Sequence, residues 1–305
     1  MEDKYIYRNY INIGKEFKIK GNKLKAISFY KKAFNTEDGK KDIELAIDMA
    51  LLFHELEQLD MAKRMYIQAI KINDKDERGY YGLGTIYDEE KDYEKAKSFY
   101  KKAISINKNY DNAYFFLANI YDDEGEKEEA IETYKKVIEI NNQYLFAFVN
   151  IACIYEEMSD YINAEYYIDK ALEISDSQFR VLFNAGVIKK RLGKIEESEK
   201  YYRKSIKEKE DFPYSYLNLG VIYREKERFM EAIDIISWGI ENNEEEGFLY
   251  YNRACFYALL EKRKEALKDV IKSTELNEFF VEYMKKDSEL DCIRDLEEYK
   301  NLFEK

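Results

Sequence analysis

Glu77-Arg-Gly-Tyr-Tyr-Gly-Leu-Gly-Thr-Ile-Tyr87, a polar break at Lys91-Asp92, and Tyr93-Glu-Lys-Ala-Lys-Ser-Phe-Tyr-Lys-Lys-Ala-Ile-Ser-Ile106 form a unit that returns along the chain every 34 residues. With Glu77 as place one, place eight is small in every copy: Gly14, Ala50, Gly84, Ala118, Ala152, Gly186, Gly220 and Ala254. Place twenty is Ala26, Ala62, Ala96, Ala130, Ala164, Ser198, Ala232 and Ala266. A fixed period of this length marks a repeat array, in which each unit buries its apolar face only against its neighbours.

Helix geometry explains the choice of residues. At about 100° per residue, places four, seven, eight and eleven of the first helix share a face. Rings hold the outer two in most copies, as in Tyr80 with Tyr87, Tyr114 with Tyr121, Phe148 with Tyr155 and Tyr250 with Tyr257. Places twenty, twenty-four and twenty-seven form the matching face of a second helix, for example Ala96, Tyr100 and Ala103. Small residues let two antiparallel helices approach closely while the rings fill the space beside them. Gly21, Gly125 and Gly193 at place fifteen suit a left-handed end to the first helix. Asn22, Asp92 and Asp160 then follow as caps of the second.

This order of aromatic, Gly/Ala, aromatic, Ala, aromatic, Ala resembles the tetratricopeptide repeat. The resemblance covers eight copies, 7–40, 43–76, 77–110, 111–144, 145–178, 179–212, 213–246 and 247–280. It implies an all-α fold, an α-α superhelix built as a right-handed solenoid of helical hairpins. Residues 1–6 form a polar lead, and 281–305, with Ile293, Leu296, Leu302 and Phe303 on one side, read as C-terminal capping helices. Two departures stand out. The proline usual near the end of each repeat is missing, and the sixth copy carries Lys189, Ser198 and Ser205 at core places, which predicts a looser joint over 179–212.

Composition narrows the function. One proline in 305 residues suits a nearly all-helical chain, and the array reads as one elongated domain with no linker. A net charge of −12, with acids and bases mixed throughout, argues against a nucleic-acid binder and against docking on an anionic membrane. Cys153, Cys255 and Cys292 match no metal-ligand spacing, the only histidine is His54, and no Gly-rich phosphate loop is present. The expectation is a non-enzyme with no cofactor and no metal. The first six residues contain no apolar run, so neither a secretory signal nor an anchor is expected, and reduced cysteines point to the cytoplasm.

The informative surface is the far side of each first helix, at places two, six, nine and thirteen, opposite the packing face at about 100° per residue. By resemblance this is the concave wall. Place six is Asn150, Asn184, Asn218 and Asn252 in four successive copies. A carboxamide offers donor and acceptor together, so it can grip a peptide unit whatever the side chain. In several families with similar repeats such an asparagine ladder holds a peptide backbone. Around it, Phe146, Val149, Phe183, Val187, Leu217, Val221 and Tyr251 could line side-chain pockets. Arg180, Lys190, Arg191 and Arg224 supply positive charge, whereas Asp88-Glu89, Asp122-Asp123 and Glu156-Glu157 are negative, a sign change that would orient a ligand. Place five carries Ile47, Val149, Phe183 and Leu217 where repeats that clamp chaperone carboxylates use a lysine, so no such clamp is expected. These residues predict a protein- or peptide-binding adaptor. The alternative is an assembly module that associates with itself through the same apolar faces.

Overall fold

Place fifteen is left-handed in every copy. Gly21, Gly125 and Gly193 have φ of 73°, 81° and 73°, and Glu57, Lys91, Ser159, Glu227 and Glu261 adopt φ between 55° and 61° without the freedom of glycine. This one residue turns the chain through the hairpin. The next residue caps the second helix, where Asn22, Asp92 and Asp160 accept hydrogen bonds from the amides of Lys25, Lys95 and Asn163.

The structure, a computed structural model, describes residues 2–303; Met1, Glu304 and Lys305 and the side chains of Glu2, Asp3 and Leu302 lie outside the described residues. Helix and loop are the only regular structure among the described residues. The helices pair in sequence: α1 (Glu2–Ile19) with α2 (Lys23–Phe34), α3 (Ile43–His54) with α4 (Leu59–Ile72), α5 (Glu77–Glu89) with α6 (Tyr93–Ile106), and α7 (Asp111–Asp123) with α8 (Lys127–Ile140). Then come α9 (Leu145–Glu157), α10 (Tyr161–Ile174), α11 (Phe179–Arg191), α12 (Ile195–Glu208), α13 (Pro213–Glu225), α14 (Phe229–Asn242), α15 (Gly247–Leu259) and α16 (Arg263–Leu276). Residues 2–6, expected as a lead, are the first turns of α1. The extra residues after the first copy form a 3-10 turn, Gly39–Lys41, and Asp42 caps α3.

The chain divides into two compact units, Met1–Ala147 and Phe148–Lys305. In the first unit, a side chain at either glycine of place eight would collide with the ring at place twenty-four. A Cβ at Gly14 would lie 2.3 Å from the Tyr30 ring, and one at Gly84 would lie 2.7 Å from Tyr100. Both tyrosines are fully buried. In the second unit the same relation holds for Gly186 and the Tyr202 ring, at 2.6 Å.

The sixth copy is not loose. Lys189 stands where most copies place a ring, yet only 4% of it is exposed. Its ammonium donates to Glu165 at 2.6 Å and Asp169 at 2.9 Å, both on α10 of the preceding copy. Ser198 donates to the carbonyl of Gly186, Ser205 to that of Phe179, and Ser215 to Ser205. The polar core places are thus hydrogen-bonded ties between elements.

After α16 the chain forms α17 (Phe280–Met284), a 3-10 turn (Ser288–Ile293) and α18 (Glu297–Phe303). Met284, Leu290, Ile293, Tyr299 and Phe303 are buried in one cluster with Ala254, Cys255, Ala258, Ala266 and Val270 of α15 and α16.

Candidate functional site

The asparagine row lies wholly in the second unit, on α9, α11, α13 and α15, and all four residues are partly exposed. Two carboxamides are turned back along their own helices. Asn218 Nδ2 donates to the carbonyl of Tyr214 at 2.9 Å and Asn252 Nδ2 to that of Phe248 at 2.7 Å. Asn218 Oδ1 also accepts from the Tyr202 hydroxyl at 3.4 Å. One N–H is spent in each case, which fixes the rotamer and leaves the second N–H for another acceptor.

The neighbouring residues sort differently from the sequence expectation. Phe146, in the first unit, is 41% exposed, whereas Val149 is 4% exposed and belongs to the core, so it lines no pocket. Phe183, Val187 and Leu217 are partly buried against the core of the second unit. The Phe183 ring packs 5.2 Å from Phe212 and 5.8 Å from Tyr202. Val221 is partly buried, and the exposed Arg180 lies over the Phe179 ring. Tyr251 is not open to a ligand along its edge: its hydroxyl donates to Asp287 and its ring stacks on Phe280, 6.0 Å away, because the C-terminal segment crosses it. Three of the four basic residues are paired internally. Lys190 meets Glu225 at 2.8 Å, Arg191 meets Glu156 at 2.7 Å, and Arg224 bonds to Glu289 of the C-terminal segment. The expected positive stretch is therefore neutralised by carboxylates of this same chain.

The first unit holds a feature the sequence reading passed over. A cleft of about 400 Å³ opens beside α3, α5 and α7, walled by Tyr66, Tyr81, Tyr100, Tyr110 and Phe116, with Ile47, Leu51 and Thr85 along it. Gly82 makes room for the Tyr66 wall, since a Cβ there would lie 2.2 Å from that ring. Tyr81 packs 4.9 Å from Tyr110, 5.9 Å from Tyr100 and 6.2 Å from Phe116. Burial pushes the Tyr66 and Tyr110 phenols up to about 12, with nearby acidic groups adding to it, so they are neutral donors at physiological pH. His54, Asp88, Glu89 and Arg78 supply the charge around the rings. The sequence signal was available: place six switches from asparagine to Gly82 and Phe116 in these copies, and rings stand at Tyr81 and Tyr110.

Among the described residues, Cys255, Asp287 and Glu289 come close enough together to suggest a metal site. In this structure all three are engaged with other groups: the buried Cys255 thiol, raised by burial and the adjacent acids, donates to Asp287 at 3.7 Å, Asp287 also accepts from the Tyr251 hydroxyl, and Glu289 is paired with Arg224. No helix among the described residues is long and apolar enough to cross a membrane.

Family models described as tetratricopeptide repeat match residues 89–147 and, in a second form, residues 7–38, 40–76, 147–178 and 179–212. The chain belongs to the tetratricopeptide repeat family. The crystal structure of MamA is 27% identical over 54% of this chain and 95% of that one, with a TM-score of 0.50. PilF of Pseudomonas aeruginosa is 17% identical over 74% of this chain and 100% of that one, with a TM-score of 0.61. The APC/C hetero-tetramer Cut9-Hcn1 gives 12% identity over 92% of this chain and 54% of that one, with a TM-score of 0.60. The last two likenesses bear on fold alone. No curated protein matches the chain. Successive helix pairs pack as they do in these tetratricopeptide repeat solenoids, an architecture that serves as a scaffold for protein-protein interaction.

Proposed function

We propose that this tetratricopeptide repeat protein is a non-enzymatic adaptor that holds an extended segment of a partner protein along its first helices. Asn150, Asn184, Asn218 and Asn252 would hydrogen-bond the segment's backbone. The observation that carries this reading is the recurrence of one partly exposed carboxamide on four successive first helices, at least two of them held in place by their own backbone. A row of amides at a fixed repeat suits a ligand that is itself a regular chain. Lys190, Arg191 and Arg224, paired within the chain, would contribute less than the amides, and the segment 281–303 would serve as the cover of the last repeat.

The test uses a peptide selected on the full chain from a random display library. Replacing Asn184 and Asn218 together by alanine removes bonds worth about 0.5–1.5 kcal/mol each, so affinity should fall very roughly five- to a hundredfold. The melting temperature should fall only modestly, since neither carboxamide is in the buried core and their one tie to it is the long bond that Asn218 accepts from the Tyr202 hydroxyl. Unchanged affinity, or earlier melting with affinity per folded molecule intact, would overturn the ladder as a binding device.

A further inference from the structure

The cleft of the first unit is lined by groups of different character. Five rings line it together with Asp88, which is partly buried, one carboxylate oxygen accepting from the Tyr100 hydroxyl at 3.3 Å. Among the described residues no lysine or arginine lies within ion-pair distance of Asp88. The nearest charges leave it uncompensated. Arg78 is held by both oxygens of Glu44 and again by Asp76. His54 is bonded to Glu89, and Asp123 and Glu89 act on Asp88 as like charges.

A carboxylate taken partly out of water without a cation is costly, and aromatic faces around it attract positive charge through their quadrupoles. An incoming cation with an apolar stem answers both: its stem covers the rings and its charge meets the carboxylate. We propose that this cleft is a side-chain pocket for a basic residue, arginine or lysine, of an extended partner segment, with Asp88 as the charge partner and Tyr81, Tyr100 and Phe116 as the walls. This rests on the reading of the chain as a scaffold for an extended segment, but it concerns different residues in the other unit. A guanidinium fits best, because it can pair with Asp88 while lying flat on a ring.

The experiment titrates the full chain, labelled on its tyrosine rings, with N-acetyl-arginine methylamide and with its uncharged isostere, N-acetyl-citrulline methylamide, followed by NMR. The arginine probe should shift the Tyr81 and Tyr100 rings and bind about tenfold or more tightly than the citrulline probe. In Asp88→Asn, whose fold is checked by circular dichroism, that preference should collapse to near unity. Equal binding of the two probes by the parent chain, shifts confined to residues outside the cleft, or an undiminished preference in Asp88→Asn would each overturn the proposal. The parent comparison needs no variant, so the test stands even if Asp88→Asn unfolds. A cleft that ignores arginine leaves the asparagine row untouched, and failure of the asparagine substitutions leaves the cleft untouched.

Discussion

Gly84→Ala probes the contact on which the repeat is built. A Cβ at Gly84 would stand 2.7 Å from Cδ1 and Cε1 of Tyr100 and 3.2 Å from Cζ, against an ordinary contact of 3.4–4 Å. The Tyr100 ring is fully buried and is backed by Tyr81 and Phe116, with centroids 5.9 and 6.2 Å away, so it has little room to retreat. Overpacking of this kind costs about 1–3 kcal/mol. Alanine recovers about 0.8–1 kcal/mol of helix propensity over glycine, which leaves a net loss near 1 kcal/mol. In a Tyr100→Leu background the ring is gone, and the same change should instead stabilise by roughly 0.5–1 kcal/mol. The two substitutions should therefore couple by about 1–3 kcal/mol. Urea unfolding followed by circular dichroism gives the four stabilities, and hydrogen exchange in α5 and α6 places the loss. Additive effects, or a stabilising Gly84→Ala in the parent chain, would refute the account of why place eight is small.

Two further outcomes follow from local chemistry. Burial pushes Glu165 up, but hydrogen bonds and attraction from Lys189 and Lys194 outweigh it and hold the carboxyl below its ordinary value of 4.5. Its contribution is fully present above that value and lost as pH falls through the lowered one, so Glu165→Gln should flatten the acid side of a stability-pH profile; a profile as steep as the parent's would contradict the pairing. Lys91 sits at φ 61°, a conformation costing a non-glycine residue about 1–2 kcal/mol, so Lys91→Gly should raise stability by roughly 1 kcal/mol in urea unfolding, and a loss would show that the turn is not strained.

Much of the fold was legible because the period places chemically similar residues at similar positions. Gly84 against Tyr100 and Asp92 as a cap follow from helix arithmetic within one copy. What failed were contacts between copies and outside the repeat. Lys189 looked like decay of the pattern because its partners, Glu165 and Asp169, lie on the preceding helix pair and only packing brings them to its ammonium. Tyr251 and Arg224 looked exposed because the irregular path of 285–293, which brings Asp287 and Glu289 to them, has no period to read. The aromatic cleft is hard to read in the sequence for the opposite reason. It lies in copies that lack the recurring asparagine, where Gly82 lets Tyr66 settle against the first helix.

The central claim is that a partner segment lies along the first helices, and hydrogen exchange of the full chain with and without the selected peptide tests it most directly. The account predicts that added protection concentrates on α9, α11, α13 and α15, centred on Asn184 and Asn218. Protection confined to the second helices α10, α12, α14 and α16 would contradict it.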